Sequence, residues 1–198
     1  MAQEFYKKIY SVKEFYTALY KALRTLKYLR KNKKSNMLDA HFIERIMLAV
    51  TEVNGCEVCT YAHTKIALEQ GMDNQEIQGL LTGTTDGIPD DELKAIYFAQ
   101  HYADTRGNPS IDSWNELLKT YGTERSLGIL AAIRMIMAGN IYGTALSAFK
   151  SRLKGKPIKK TSISYEVKMI VSLIIFLPTS IVHGIISTLS KRPVIEYQ

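Results

Sequence analysis

Two cysteines, one histidine and one glutamate stand at spacings that suit thiol chemistry. Cys56 and Cys59 are the only cysteines among the 198 residues, and His63 follows Cys59 by four positions. Glu44 precedes Cys56 by twelve positions. On a helix that begins near Cys56, spacings of three and four place both cysteines and the histidine on one face. The pattern therefore predicts a cluster in which an imidazole can exchange a proton with a thiol.

Each member of this cluster has a chemical role that its position favours. Cys56 falls at the start of the predicted helix, where free backbone amides and the helix dipole stabilise a thiolate. Cys59 lies one turn before His63, which favours proton exchange between the two. Glu44 belongs to the preceding helix, and a fold-back at the intervening turn brings it to His63, whose tautomer it would fix. The pair suits a reversible disulfide, and which cysteine reacts first stays open.

Two other interpretations of the cysteine pair compete with the redox one. The two sulfurs, the His63 nitrogen and a Glu44 oxygen could bind one zinc ion, but three positions on one helical face fit a tetrahedral site poorly. Both cysteines could instead be inert core residues, since free cysteine is often buried. We predict no metal site and no bound organic cofactor, and we expect an external dithiol to reduce the pair.

The composition indicates a folded chain made in a reducing compartment. Hydrophobic residues make up 46% of the sequence and charged residues 23%, which is enough apolar material for a core. Two cysteines are too few for a secreted disulfide scaffold, and residues 1–15 are amphipathic and charged. We therefore expect a cytoplasmic protein, where a close cysteine pair is more often catalytic or metal-binding than structural.

The net charge of +7 is distributed unevenly along the chain. Residues 1–36 contain ten Lys or Arg and two acids, and residues 150–160 contain six Lys or Arg and no acid. The intervening residues 37–149 contain seven basic and fifteen acidic residues. The two basic segments could contact an anionic membrane surface, although a solvated helix face and a linker explain the charge equally well. Nucleic acid is not an expected partner, because no recognised nucleic-acid module accompanies the basic segments.

Helical periodicity recurs along the chain, and no stretch shows sustained strand alternation. The apolar residues of positions 11–34 recur every three or four residues with lysines and arginines between them, which predicts a long basic amphipathic helix. The predicted fold class is therefore all-α. We divide the chain into an N-terminal helix (1–36), a helical domain (37–153) and a basic linker with an apolar C-terminal extension (154–198).

Residues 169–189 form an apolar segment long enough to cross a bilayer as a helix, which takes about 20 residues. Pro178 is expected to break or kink this helix near its middle. The segment could span a membrane, lie in a membrane interface, or form a helical hairpin buried in an oligomer. Basic residues on both sides favour contact with anionic headgroups.

The pattern of Glu44 followed by Cys56-x-x-Cys59-x-x-x-His63, inside an all-helical chain, resembles the alkylhydroperoxidase D-like branch of the carboxymuconolactone decarboxylase family. The likeness is strongest from about Met37 to Ala103, and weaker support comes from the predicted helix that contains Ile133 to Tyr142. It implies an AhpD-like helical bundle, obligate homo-oligomers that are often trimers or hexamers, and a thiol-dependent peroxidase cycle.

The resemblance gives Glu44 and His63 the role of a proton relay, and Cys56 and Cys59 the role of the redox pair. Family members with peroxidase chemistry can have a histidine immediately before the second cysteine, whereas Val58 stands here. Decarboxylase members lack the cysteine pair, so lactone decarboxylation is not expected. The predicted function is reduction of hydroperoxides through the CxxC pair. The alternative is a redox sensor or a membrane-surface interaction protein without enzyme activity.

Overall fold

The computed structural model describes residues 4–195, which form seven α-helices and no strand. The all-α fold class, including the apolar C-terminal helix, is confirmed. The division into residues 1–36, 37–153 and 154–198 stays a prediction. The helices are α1 (Val12–Lys34), α2 (Ala40–Asn54), α3 (Glu57–Glu69), α4 (Asn74–Thr82), α5 (Leu93–Asp104), α6 (Ile111–Leu153) and α7 (Ile163–Leu189).

Side-chain caps explain where several helices begin. The Ser11 hydroxyl accepts from the Glu14 amide and the Glu14 carboxylate accepts from the Ser11 amide, which forms a capping box at the start of α1. Asp39 caps α2 and Asp73 caps α4, and each aspartate side chain accepts from backbone amides of the first turn. Gly55 ends α2 with a φ of 69°, a left-handed conformation that glycine adopts without steric cost. The tight turn that follows leads directly into the cysteine pair.

Helix α6 is the centre of the fold, and α1, α2, α3, α5 and α7 all pack against it. Its backbone is broken at Gly122, where φ is 70° and ψ is 166°. Beyond this break most of its Ala, Gly and Ile residues are buried. Small residues allow neighbouring helices to approach closely, so α2 and α3 come within side-chain contact of α6 near the cysteines.

Of the two expected effects of Pro178, a break or a kink, the break is wrong, because α7 continues through this residue from Ile163 to Leu189. Proline removes one backbone hydrogen bond from a helix interior, whereas contacts with α1 and α6 hold α7 along its length. The next residue, Thr179, donates its hydroxyl to the Ile175 carbonyl at 2.8 Å. The apolar segment is therefore one long helix rather than a hairpin.

Two helices of the described region are long and apolar enough to cross a membrane, and their surroundings differ. The apolar window of α6 is 78% buried inside the protein, so α6 has the burial of a core helix. The corresponding window of α7 is only 17% buried. Helix α7 therefore exposes most of its apolar side chains while it lies against α1 and α6.

An irregular segment before α1 crosses the turn between α2 and α3. The Tyr6 amide donates to the Gly55 carbonyl at 2.7 Å, and the Lys8 amide donates to the Asn54 carbonyl at 3.2 Å. The Tyr10 hydroxyl donates to the Asn54 side-chain oxygen at 2.6 Å. This N-terminal segment, residues 4–11, holds the turn that precedes the first cysteine.

Candidate redox site

The two cysteines lie at the start of α3 and form a disulfide, with Cα atoms 5.3 Å apart. The helix begins at Glu57, so Cys56 is the N-cap residue. The Cys59 amide donates to Cys56 Sγ at 3.4 Å. A sulfur at this position faces the free amides of the first helical turn, which stabilise negative charge.

The two sulfurs differ in their access to solvent. Cys56 is fully buried, with 0% of its surface exposed. Cys59 is only partly buried, and its sulfur lies 3.6 Å from the carbonyl oxygen of Gly139, an exposed residue of α6. A small molecule or an external thiol approaching the disulfide therefore reaches Cys59 before Cys56.

Gly143 of α6 faces the disulfide directly. A Cβ atom at this position would lie 2.8 Å from Cys59 Sγ, 2.9 Å from Cys56 Sγ and 3.0 Å from a methyl carbon of Val58. These separations are too short for carbon and sulfur atoms in van der Waals contact. The absence of a side chain at Gly143 is therefore what lets the disulfide pack against α6.

Glu44 and His63 form the second contacting pair of the site. Glu44 Oε2 lies 2.7 Å from His63 Nδ1, and only 7% of the Glu44 surface is exposed. An ionised carboxylate only accepts hydrogen bonds, so His63 donates from Nδ1 and keeps Nε2 available for proton exchange. His63 follows Cys59 by one turn of α3, and residues four apart are neighbours on a helix surface.

A buried polar contact lies one turn from Gly143 on α6. The Thr51 hydroxyl donates to Asn140 Oδ1 at 3.1 Å, which ties α2 to α6. The Asn140 amide nitrogen is buried and has no hydrogen-bond partner within residues 4–195. The sequence does contain this Gly-Asn-x-x-Gly run, but nothing local in it indicates which helix it would face.

Tyr6 supports the site from the N-terminal segment. Its hydroxyl lies 2.9 Å from Glu57 Oε2 and 3.1 Å from Ser147 Oγ, so it joins the first turn of α3 to α6. Burial raises the pKa of Tyr6 above its usual value, which keeps this hydroxyl protonated. Sequence analysis did not identify Tyr6, because the residue precedes the first helix and carries no motif.

The four predicted site residues thus form two pairs. Cys56 and Cys59 form the disulfide at the start of α3, and Glu44 of α2 is hydrogen-bonded to His63 of α3. Among residues 4–195, no group of three or more His, Cys, Asp or Glu side chains has the arrangement of a metal site. The chemistry that the arrangement supports is thiol–disulfide exchange with a histidine close to Cys59.

Comparison with known proteins supports this resemblance over part of the chain. Residues 17–86 match the family model described as Carboxymuconolactone decarboxylase family. No curated protein and no solved structure matches the chain significantly. The resemblance to this family is thereby confirmed for residues 17–86, which are less than half of the chain. The match begins inside α1 and ends before α5, and it overlaps the stretch from Met37 to Ala103 in which the sequence likeness is strongest.

Proposed function

We propose that this protein is a thiol-dependent peroxidase that reduces hydroperoxides through the Cys56–Cys59 pair. The observation that supports this most directly is the 2.7 Å hydrogen bond between Glu44 and His63, one helical turn from Cys59. A disulfide alone is compatible with a structural role. A histidine oriented by a buried carboxylate next to a partly exposed sulfur is the arrangement that thiol activation needs.

The first step uses Cys59, because its sulfur is the accessible one. His63 takes the thiol proton, and the thiolate attacks the terminal oxygen of the hydroperoxide. The O–O bond breaks, the sulfur is oxidised to a sulfenic acid, and the alkoxide leaves as an alcohol with the proton held by His63. Glu44 stabilises the transient imidazolium through the bond to Nδ1.

The second step closes the disulfide. The Cys56 thiolate attacks the sulfur of the Cys59 sulfenic acid, and hydroxide leaves as water with the Cys56 thiol proton. The N-cap position of Cys56 favours its thiolate form, because the Cys59 amide points at its sulfur. The two cysteines together supply the two electrons that reduce the hydroperoxide to alcohol and water.

An external dithiol then restores the two thiols. Its thiolate attacks the Cys59 sulfur, and Cys56 leaves as a thiolate stabilised at the start of α3. The second thiol of the donor attacks the mixed disulfide and releases Cys59. This order follows from the same difference in burial, since attack on a fully buried sulfur is blocked by the surrounding protein.

Hydroperoxide turnover with a dithiol donor tests this function. We expect Cys56→Ser and Cys59→Ser each to abolish turnover. Cys56→Ser should still form one sulfenic acid per chain, detected with a sulfenic-acid-specific probe and mass spectrometry, whereas Cys59→Ser should form none. Unchanged turnover in both variants would refute the mechanism. Sulfenic acid on Cys56 instead would reverse the assigned order.

We infer as a second function that α7 docks the protein on an anionic membrane interface. Its polar and small residues face the protein: Ser180, Gly184 and Ser187 are buried. The Ser187 hydroxyl accepts from Tyr20 at 2.8 Å, and Tyr16 lies 3.1 Å from the His183 ring nitrogen. The outward side is apolar, which is the reverse of a helix on a water-exposed surface.

The outward face extends over the whole length of α7. Eleven large aliphatic side chains on it are at least 41% exposed: Ile163, Val167, Val171, Ile174, Ile175, Leu177, Ile181, Val182, Ile185, Ile186 and Leu189. Its inward contacts keep α7 on the body of the protein. The arrangement therefore suits a helix that lies in the headgroup region rather than one that spans the bilayer.

The charges around this face suit anionic lipid. The one acid described within α7, Glu166, is fully buried and pairs with Arg152 at 2.8 Å. An apolar groove between α1 and α7 is bordered by Arg24, Lys27 and Arg30. Apolar side chains flanked by cations match the acyl chains and phosphates of a membrane surface, whereas two copies of the same basic surface would repel each other.

Vesicle flotation tests the docking. We expect the full-length protein to float with vesicles that contain phosphatidylserine and to float less with neutral vesicles. Ile185→Glu should abolish flotation, and Ile111→Glu, at a similarly exposed position on α6, should leave it unchanged. Failure of the wild type to float with anionic vesicles would refute the proposal. Dissociation of a wild-type dimer by Ile185→Glu, without any flotation, would assign the face to self-association.

The expectation of a homo-oligomer stays a prediction from the family resemblance. Sedimentation equilibrium of the full-length protein measures the assembly directly, and a monomeric mass at micromolar concentration would contradict it.

A further inference from the structure

A cavity separate from the redox pair lies between α1, α6 and the turn that follows α5. Its volume is about 490 Å³, which is within the range of small-molecule sites. Tyr10, Tyr102, Met137 and Ile141 supply aromatic and aliphatic walls, and Arg134 of α6 also lines it. The cavity therefore combines an apolar interior with a cation.

Arg134 is a buried cation whose hydrogen bonding is incomplete. Only 1% of its surface is exposed, and Nε donates to the Tyr102 hydroxyl at 3.0 Å. Its two terminal nitrogens, Nη1 and Nη2, are buried and have no hydrogen-bond partner within residues 4–195. A guanidinium stays charged in proteins, and a buried charge without a partner is strongly unfavourable. An anion in the cavity would supply what Arg134 lacks.

The one carboxylate of the cavity wall is already committed to other groups. Glu14 accepts from the Ser11 amide and hydroxyl and pairs with Arg106 at 2.8 Å. Burial acts to raise the pKa of Glu14, but the hydrogen bonds from Ser11 and Arg106 hold that pKa below its usual value. Lys13 and Lys21 also line the cavity, so the wall has a net positive charge.

We propose that this cavity binds a small organic carboxylate whose two oxygens pair with Nη1 and Nη2 of Arg134. The planar guanidinium matches a carboxylate through two parallel hydrogen bonds. The Tyr10 and Tyr102 rings, together with Met137 and Ile141, form an apolar surface for the rest of the ligand. Inorganic phosphate would leave this apolar surface unused.

The site does not depend on the proposed peroxidase activity. Asn54 lies between the cavity and the cysteines, since it accepts from the wall residue Tyr10 and its amide nitrogen lies 3.2 Å from the sulfur of Met137. The test therefore measures binding of the carboxylate rather than peroxidase turnover. A protein without peroxidase activity would still have the carboxylate site.

Thermal shift and calorimetry on the dialysed full-length protein test this site with hexanoate and benzoate. We expect both carboxylates to raise Tm with concentration, because a ligand that binds only the folded state stabilises it. Hexanamide, benzamide and phosphate should have no comparable effect. Arg134→Met should weaken carboxylate binding about tenfold or more, and Lys119→Met, on the exposed surface of α6, should not change it.

The stability of the ligand-free variant provides a second readout. Arg134→Met removes a buried charge whose two terminal nitrogens are unpaired, and it also removes the hydrogen bond from Nε to Tyr102. Because the buried charge costs more than this one hydrogen bond contributes, we expect the Tm without ligand to rise by about 2–4 °C. A lower Tm would show that Nη1 and Nη2 are stabilised inside the protein and would overturn the proposal. Equal shifts with carboxylates and amides, shifts that persist in Arg134→Met, or a response to phosphate alone would overturn it as well.

Discussion

Gly143 and Cys59 are so close that a methyl group on the glycine would lie 2.8 Å from the cysteine sulfur. Gly143→Ala must therefore push the disulfide away from α6. We expect this variant to lose about 1–3 kcal/mol of unfolding free energy, the usual effect of overpacking a well-filled site. Urea denaturation of the oxidised wild type and variant measures this loss of unfolding free energy.

Gly139→Ala is the matched control for this prediction, since Gly139 lies one turn away on the same helix. A Cβ there would meet only a methyl carbon of Ile136, at 3.9 Å. Alanine is favoured over glycine inside a helix by up to about 1 kcal/mol, so Gly139→Ala should be neutral or stabilising. An equal loss of unfolding free energy in both variants would show that contact with the sulfurs does not cause the destabilisation of Gly143→Ala.

Glu44→Gln should slow hydroperoxide turnover by about 10- to 100-fold, because the neutral amide no longer stabilises the imidazolium of His63. The pH–rate profile should also change, which a purely structural effect would not explain. Glu52→Gln, on the same helix but ion-paired with Lys7, is the control and should retain wild-type rates. Equal rates in all three proteins would remove Glu44 from the mechanism.

Arg45 links α2 to α4 through Glu76 and to the start of α5 through Glu92 at 3.1 Å. Arg45→Ala leaves two largely buried carboxylates without their cation, and we expect a loss of about 3–5 kcal/mol in chemical denaturation. The exposed pair of Lys94 and Glu116 provides the comparison. Lys94→Ala should cost less than about 1 kcal/mol, and similar losses in both variants would contradict this reasoning.

The contact between α6 and α7 should weaken in acid. The Arg152 guanidinium, hydrogen-bonded to Glu166, holds the pKa of Glu166 below its usual value of 4.5. The folded protein therefore binds fewer protons here than the unfolded chain, and stability is lost as the pH falls through the folded-state pKa. We expect Tm to fall between about pH 5 and pH 3.

Glu166→Gln separates this contribution from general acid denaturation. The variant should be less stable than the wild type at pH 7, and the difference should shrink as the pH approaches about 3. Glu116→Gln, at an exposed carboxylate, should follow the wild-type curve. A constant difference across this pH range would rule out Glu166 as the titrating group.

Local signals in the sequence account for several of the helix boundaries. Ser11, Asp39 and Asp73 cap the helices that follow them, and Gly55 ends α2, because each effect depends on only a few neighbouring residues. The position of Gly143 against the sulfurs was not predictable in this way, since it depends on where α3 crosses α6. The same holds for the N-terminal segment, whose partners lie far away in sequence.

Two signals in the sequence gain their meaning only from the structure. Ser180, Gly184 and Ser187 recur at spacings of four and three, which is the pattern of one helix face, and this is the face of α7 that is buried. Arg134 stands alone in the apolar run of α6. A single charge there indicates either a buried partner or a ligand.

The N-terminal segment has a consequence for synthesis of the chain. Tyr6 is made early, but its hydroxyl contacts Ser147, which lies 141 positions later. Until α6 has left the ribosome, the contact of Tyr6 with Ser147 is missing, and Gly143 is not in place against the sulfurs. Between the synthesis of the cysteines and that of α6, the nascent chain therefore carries two thiols that α6 does not shield, open to oxidation or to capture by thiol-specific partners before the fold protects one of them.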